Sequence, residues 1–192
     1  MSQITDPIAL LLAAAIRQPA SKAAETKVFN HTHTQNSRFN VQLIDTSGSM
    51  SEILDDGKSK IQVVEEIITT LPFCLQNLTF NSSVKPWRYG QMLVPSGGTN
   101  LALAFHQCNA AQNILLICDG EPDDEQAALR AAECLSASIS CFYVGRDNNN
   151  RAIEFLRKLS KTHGGIYEDC DISNLQARAK LPQKIRRFLP QG

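Results

Sequence analysis

The sequence lacks several features that would decide its class at once. Its 19 basic and 19 acidic residues cancel to zero net charge, so no broad positive field is available to hold nucleic acid or an anionic membrane. No apolar run approaches the roughly 20 residues of a membrane-spanning helix. The run over residues 8–16 follows Asp6 and lacks a basic n-region, so it is not read as a signal peptide either. Asp6-Pro7 instead predicts an N-cap and a first-turn proline opening a short buried helix. None of the six cysteines, Cys74, Cys108, Cys118, Cys134, Cys141 and Cys170, forms a C-x-x-C pair. A chain this long needs no disulfide staples, which predicts free thiols and a cytoplasmic location. Neither G-x-x-x-x-G-K-[ST] nor G-x-G-x-x-G occurs, so no nucleotide loop is expected. There is one tryptophan, Trp87, suited equally to a core and to a contact surface. Internal repeats and low-complexity segments are absent.

What remains is a globular composition, 43% hydrophobic and 20% charged over 192 residues, enough for one domain with some decoration. Residues 1–37 read as an N-terminal helix and a connecting arm, and residues 38–192 as the main domain. His31-x-His33 falls in the arm with no further ligand cluster near it and reads as polar linker.

From Phe39 onward strand and helix patterns alternate. Strands are expected at 41–44, 114–118, 139–144 and 166–167, and a hairpin from 75–80 and 84–87 about Asn81-Ser82-Ser83. Helices are expected at 58–71, with Ile61, Val64, Ile68 and Leu71 on one face, then at 100–109, 123–135 and 151–161, with a last one at the C-terminus. Lys180, Lys184, Arg186 and Arg187 read as a solvated face of that last helix. Buried strands alternating with helices predict an α/β fold. Its sheet would be doubly wound and mostly parallel, with helices on both faces and one antiparallel edge strand.

Asp45-Thr46-Ser47-Gly48-Ser49 begins where the first strand ends, at the edge where such sheets bind ligands. Alternate positions turn Asp45, Ser47 and Ser49 toward one point, and Gly48 permits a tight path. A carboxylate with two hydroxyls is a hard oxygen set, suited to Mg²⁺, Mn²⁺ or Ca²⁺ and not to zinc. Two further segments reach the same edge: Ser96-Gly97-Gly98-Thr99 ahead of a helix, and Asp119-Gly120 after a buried strand. A capped turn would explain the first segment alone. It leaves Thr99 and Asp119 unexplained. Glu121, Asp123 and Asp124 form either an acidic rim or the opening turn of the next helix, and the same choice applies to Asp55 and Asp56.

Asp45-x-Ser47-x-Ser49, Thr99 and Asp119 resemble the metal-ion-dependent adhesion site of von Willebrand factor type A domains in residue type, order and approximate spacing. The resemblance spans residues 39–189. It implies a Rossmann-like fold in which Ser47 and Ser49 coordinate a divalent ion directly. Thr99 and Asp119 would bind it directly or through water, and Asp45 would mostly orient the serines and hold water. It also implies a protein partner whose Asp or Glu carboxylate completes the coordination. Intracellular domains of this kind resemble partners of AAA+ ATPases, so a MoxR-type ATPase is an expected partner class. The competing expectation is a metal-dependent phosphoester hydrolase, which also uses strand-end aspartates. It lacks an evident base, since His106 and His163 are remote in sequence. Ser47 and Asp119 are expected at a rim, where alanine would leave the fold intact.

Overall fold

A computed structural model describes residues 41–69, 76–145, 149–172, 174–180 and 184. The helix expected after Pro7, the arm with His31 and His33, and Leu71, Cys74, Arg186 and Arg187 lie outside the described residues. The described residues all fall within one compact unit.

Six strands form one sheet: β1 (Val41–Asp45), β2 (Gln76–Phe80), β3 (Val84–Pro86), β4 (Asn113–Cys118), β5 (Ser138–Gly145) and β6 (Gly164–Asp171), in the order β3-β2-β1-β4-β5-β6. Every pairing is parallel except β2 with β3, the hairpin that makes β3 an antiparallel edge. Between the strands run α1 (Lys60–Ile68), α2 (Leu101–His106), α3 (Glu125–Glu133) and α4 (Asn150–Thr162), and α5 (Leu175–Ala179) follows β6. The expected doubly wound α/β architecture is present.

The central strands are apolar on both faces because both are covered. Leu43, Leu116 and Cys141 point into a core with Phe105 of α2, Ala128 of α3 and Leu156 of α4. Ile44, Ile117 and Phe142 point the other way, against Ile61, Val64 and Ile68 of α1 and against Trp87. Trp87 is therefore a core residue, and its indole N–H donates to the Gln91 carbonyl at 3.0 Å.

Helices α1 to α4 start at the carboxyl edge of the sheet, each on a polar side chain that accepts a backbone N–H. Asn100, Asp124 and Asn149 cap α2, α3 and α4, and Ser59 makes a reciprocal capping box with Gln62. Asp124 is thus a helix cap, as the plainer of its two readings held.

Several boundaries differ from expectation: α2 spans Leu101–His106 where 100–109 was expected, and α3 spans Glu125–Glu133 where 123–135 was. β6 runs eight residues, where only 166–167 was expected, because its alternate positions are half-exposed and polar and carry no apolar run. Helix α1 ends at Ile68, short of the expected 71.

Candidate metal centre

β1 has β2 on one side and β4 on the other, so the winding reverses between β1 and β4, and a crevice opens beyond their carboxyl ends. Asp45 ends β1 and Asp119 directly follows β4. Backbone bonds lock the neighbouring loops together. The Gly48 N–H donates to the Gly97 carbonyl at 2.9 Å, the Ser96 N–H to the Thr46 carbonyl at 2.8 Å, and the Asp123 N–H to the Thr99 carbonyl at 3.0 Å. These bonds bring the three predicted segments to one place. A Cβ on Gly48 would lie 3.3 Å from the Gly97 carbonyl oxygen, so its role is close approach to that loop. Gly97 has φ of 71° and Gly98 lies against the Asp123 carboxylate, a path that side chains would obstruct.

The side chains form a connected set of oxygens. Asp45 accepts the Ser47 N–H on Oδ1 at 2.7 Å. Ser47 Oγ and Ser49 Oγ are 3.0 Å apart, and Ser49 Oγ donates to Asp119 Oδ1 at 2.9 Å. Asp45 Oδ2 is buried and has no hydrogen-bond partner. Thr99 is half-buried beside this set, tied in by its backbone. Burial, and then the charge of Asp119, push the Asp45 carboxyl up to about 7.

Such a set fits a small divalent cation. Adjacent ligands of an octahedral ion with bonds of about 2.0–2.1 Å sit about 2.9 Å apart, close to both oxygen spacings here. The orphaned Asp45 oxygen is an acceptor awaiting a donor, such as a water bound to an ion. Hydroxyls are indispensable to the set, since among the described residues no group of three or more His, Cys, Asp or Glu could hold a metal by itself.

Two residues of the site escaped the sequence. Lys60, only 6% exposed, donates from Nζ to Asp119 Oδ2 at 2.8 Å and pairs with Glu52 Oε2 at 2.7 Å. Burial opposes its charge, but the bonds to Asp119 and Glu52 outweigh that and hold its pKa above the ordinary value. Lysine in the first turn of a helix stands against the helix dipole. That misplacement was the available signal that Lys60 had an acidic partner. The rim expectation is also corrected: Asp119 is 4% and Ser47 2% exposed. Alanine at Asp119 would leave buried Lys60 facing Glu52 alone, so it disturbs stability as well as the site.

Three other singled-out side chains are engaged in ion pairs or hydrogen bonds, while Asp123 lies at the rim of the site against Gly98. Glu121 pairs with Arg151 at 2.9 Å, and Asp56 pairs with Arg178, which lowers its pKa. Lys184 bonds Asp169 Oδ1 at 2.9 Å, so it is engaged where a solvated face was expected.

No protein-family model matches the chain, and no curated protein matches it in sequence. Solved structures do. A von Willebrand factor type A protein from Catenulispora acidiphila superposes with a TM-score of 0.56 at 20% identity, over 77% of this chain and 41% of that one. The match therefore spans about two fifths of the length of that structure. The manganese-loaded TRAP protein of Plasmodium vivax superposes with a TM-score of 0.55 at 17% identity, over 79% of this chain and 73% of that one. The fold of this chain is that of a von Willebrand factor type A domain.

Proposed function

We propose that this chain is a protein-binding module, and not an enzyme, that docks an acidic side chain of a partner through a divalent cation at the carboxyl edge of its sheet. Ser47, Ser49 and Thr99 would hold the ion with Asp119, and Asp45 would orient Ser47 and accept a bound water. The observation that carries the reading is the run of oxygens from Ser47 through Ser49 to Asp119, spaced at 3.0 and 2.9 Å, beside the unpartnered Asp45 Oδ2. A bound ion supplies Lewis acidity toward an outside carboxylate. The chain's own residues keep it strong by offering mainly neutral hydroxyls, with Asp119 already neutralised by Lys60.

Other features support a protein partner. The similar TRAP structure is manganese-loaded, which favours Mg²⁺ or Mn²⁺ over no metal at all. A groove lined by Thr46, Trp87, Leu93 and Ser96 adjoins the site, bordered by Met92 and Val94, which are 81% and 65% exposed. Exposed apolar side chains beside a polar site suit a protein surface. The finer reading is a cytoplasmic adaptor of a MoxR-type AAA+ ATPase. Cys108, Cys118, Cys134, Cys141 and Cys170 are free thiols, in keeping with a reducing compartment.

Titration calorimetry with MgCl₂ and MnCl₂ tests the metal. Wild type is expected to bind one ion and Ser47→Ala to bind none, with unchanged circular dichroism. Co-purification with the ATPase of the same host should then require the metal and fail in EDTA. Equal metal uptake by Ser47→Ala would overturn the assignment.

A further inference from the structure

The acidic centre carries its own cation. Lys60 projects from the first turn of α1 into the crevice, 6% exposed, with its ammonium 2.8 Å from Asp119 Oδ2. The loop before it is folded to deliver it there. Leu54 N–H donates to the Lys58 carbonyl at 2.8 Å, Gly57 takes φ of 81°, and Lys60 N–H donates to the Glu52 carbonyl at 3.0 Å. Glu52 is thereby fixed to both the backbone and the ammonium of Lys60. The two oxygens of Asp119 are divided: Oδ2 faces Lys60 and Oδ1 faces Ser49.

We infer that Lys60 is a positioning residue that sets the metal affinity of this site, by restricting Asp119 to one metal-facing oxygen and holding the site together when the ion is absent. The inference rests on the metal reading proposed above. A fixed positive charge in contact with a ligand carboxylate opposes a second cation at close range, where Coulomb interactions are weakly screened. It also supplies Asp119 with a counter-charge in the metal-free state, when a buried, unpaired carboxylate would destabilise the fold. The same lysine should therefore weaken the ion's hold and lessen the fold's dependence on it. Glu52, 39% exposed at its side chain, offsets Lys60 from the other side and should act in the opposite sense.

The test measures Mg²⁺ and Mn²⁺ affinity by calorimetry, and melting temperature in EDTA and in saturating metal, for wild type, Lys60→Met, Lys60→Arg and Glu52→Gln. Lys60→Met is expected to bind metal about tenfold tighter or more, to melt lower in EDTA, and to gain more from metal than wild type does. Lys60→Arg keeps the charge and should stay within about threefold of wild-type affinity. Glu52→Gln should bind metal more weakly. A folded Lys60→Met with affinity unchanged or weakened overturns the inference. If that variant does not fold, unchanged affinity in Glu52→Gln overturns it instead. Wild type that takes up neither metal sinks the binding-module reading itself, a different outcome from wild type that binds while Lys60→Met behaves identically.

Discussion

Asp45 is the residue most exposed to the consequences of an absent metal, because it is wholly buried and one of its oxygens bonds nothing. Its carboxyl is pushed up to about 7 by burial and by Asp119, against 3.8 for the ordinary group. Between those values the native metal-free protein binds more protons than the unfolded chain, so stability falls as pH rises. Above about 7 the carboxylate is ionised in both states and its contribution is flat. The metal-free protein should gain stability from this group on acidification from pH 8 to pH 5. Melting curves in EDTA should show it as a pH trend present in wild type and reduced in Asp45→Asn. A trend of equal size in both proteins would assign it to other groups. At this scale the sequence was informative wherever residue type carries the chemistry. Asp45, Ser47, Ser49, Thr99 and Asp119 are legible because three segments carry hard oxygen ligands in the order and spacing of one family's metal site. Lys60 and Glu52 are harder to read, since lysine and glutamate near a helix start are solvated by default, and the fold of the 52–59 loop is what places Lys60 between Asp119 and Glu52.

Elements were legible in proportion to their apolar periodicity. Helix α1 was placed by Ile61, Val64 and Ile68, all buried against one face of the sheet, and β4 by an unbroken apolar run that is buried from Ile114 to Cys118. Strand order is set by contacts distant in sequence, and no local pattern states it. β6 is legible only in part because Glu168, Asp169 and Asp171 give its second half no apolar run. The register shifts between Ile139 and Cys141, where the Ile166 N–H donates to Ser140 Oγ at 3.1 Å. Gly165 lies inside that irregularity, and a Cβ there would fall 1.9 Å from the Ile139 carbonyl oxygen. The obstacle is the backbone of the neighbouring strand β5, so no side-chain rotation relieves it. Gly165→Ala should therefore force β6 away from β5 and lower stability by about 1–3 kcal/mol, as overpacked sites do. Chemical denaturation would measure it. The site lies at the other edge of the sheet, so metal affinity should be little changed.

On the scale of the molecule, among the described residues, the sheet separates the site from both histidines, His106 and His163. In a doubly wound fold each helix begins near the carboxyl edge and ends near the amino edge. Asn100, which follows Thr99 at the site, caps the start of α2, and His106 ends that helix, exposed. His163 caps the end of α4 and directly precedes β6, so it too lies at the amino edge. Both imidazoles thus stand at helix ends directed away from the carboxyl edge that holds Ser47, beyond the reach of about 2.6–3.2 Å that proton transfer needs. Within the crevice, Lys60 is committed to Asp119 and Glu52 and held above its ordinary pKa, the opposite of what a general base requires. Asp45, raised to about 7 when no metal is bound, has a proton affinity that suits such a role. A cation beside it would favour its ionised form and lower that affinity, leaving a weak base in the state where hydrolysis would have to occur. The expected outcome is binding without turnover. A generic phosphate ester incubated with the protein in Mg²⁺ or Mn²⁺ should be hydrolysed no faster than with Asp45→Ala or with buffer and metal alone. Turnover that rises above that background and disappears in Asp45→Ala would make this a metal-dependent phosphoester hydrolase that needs Asp45, and would overturn the binding-module reading.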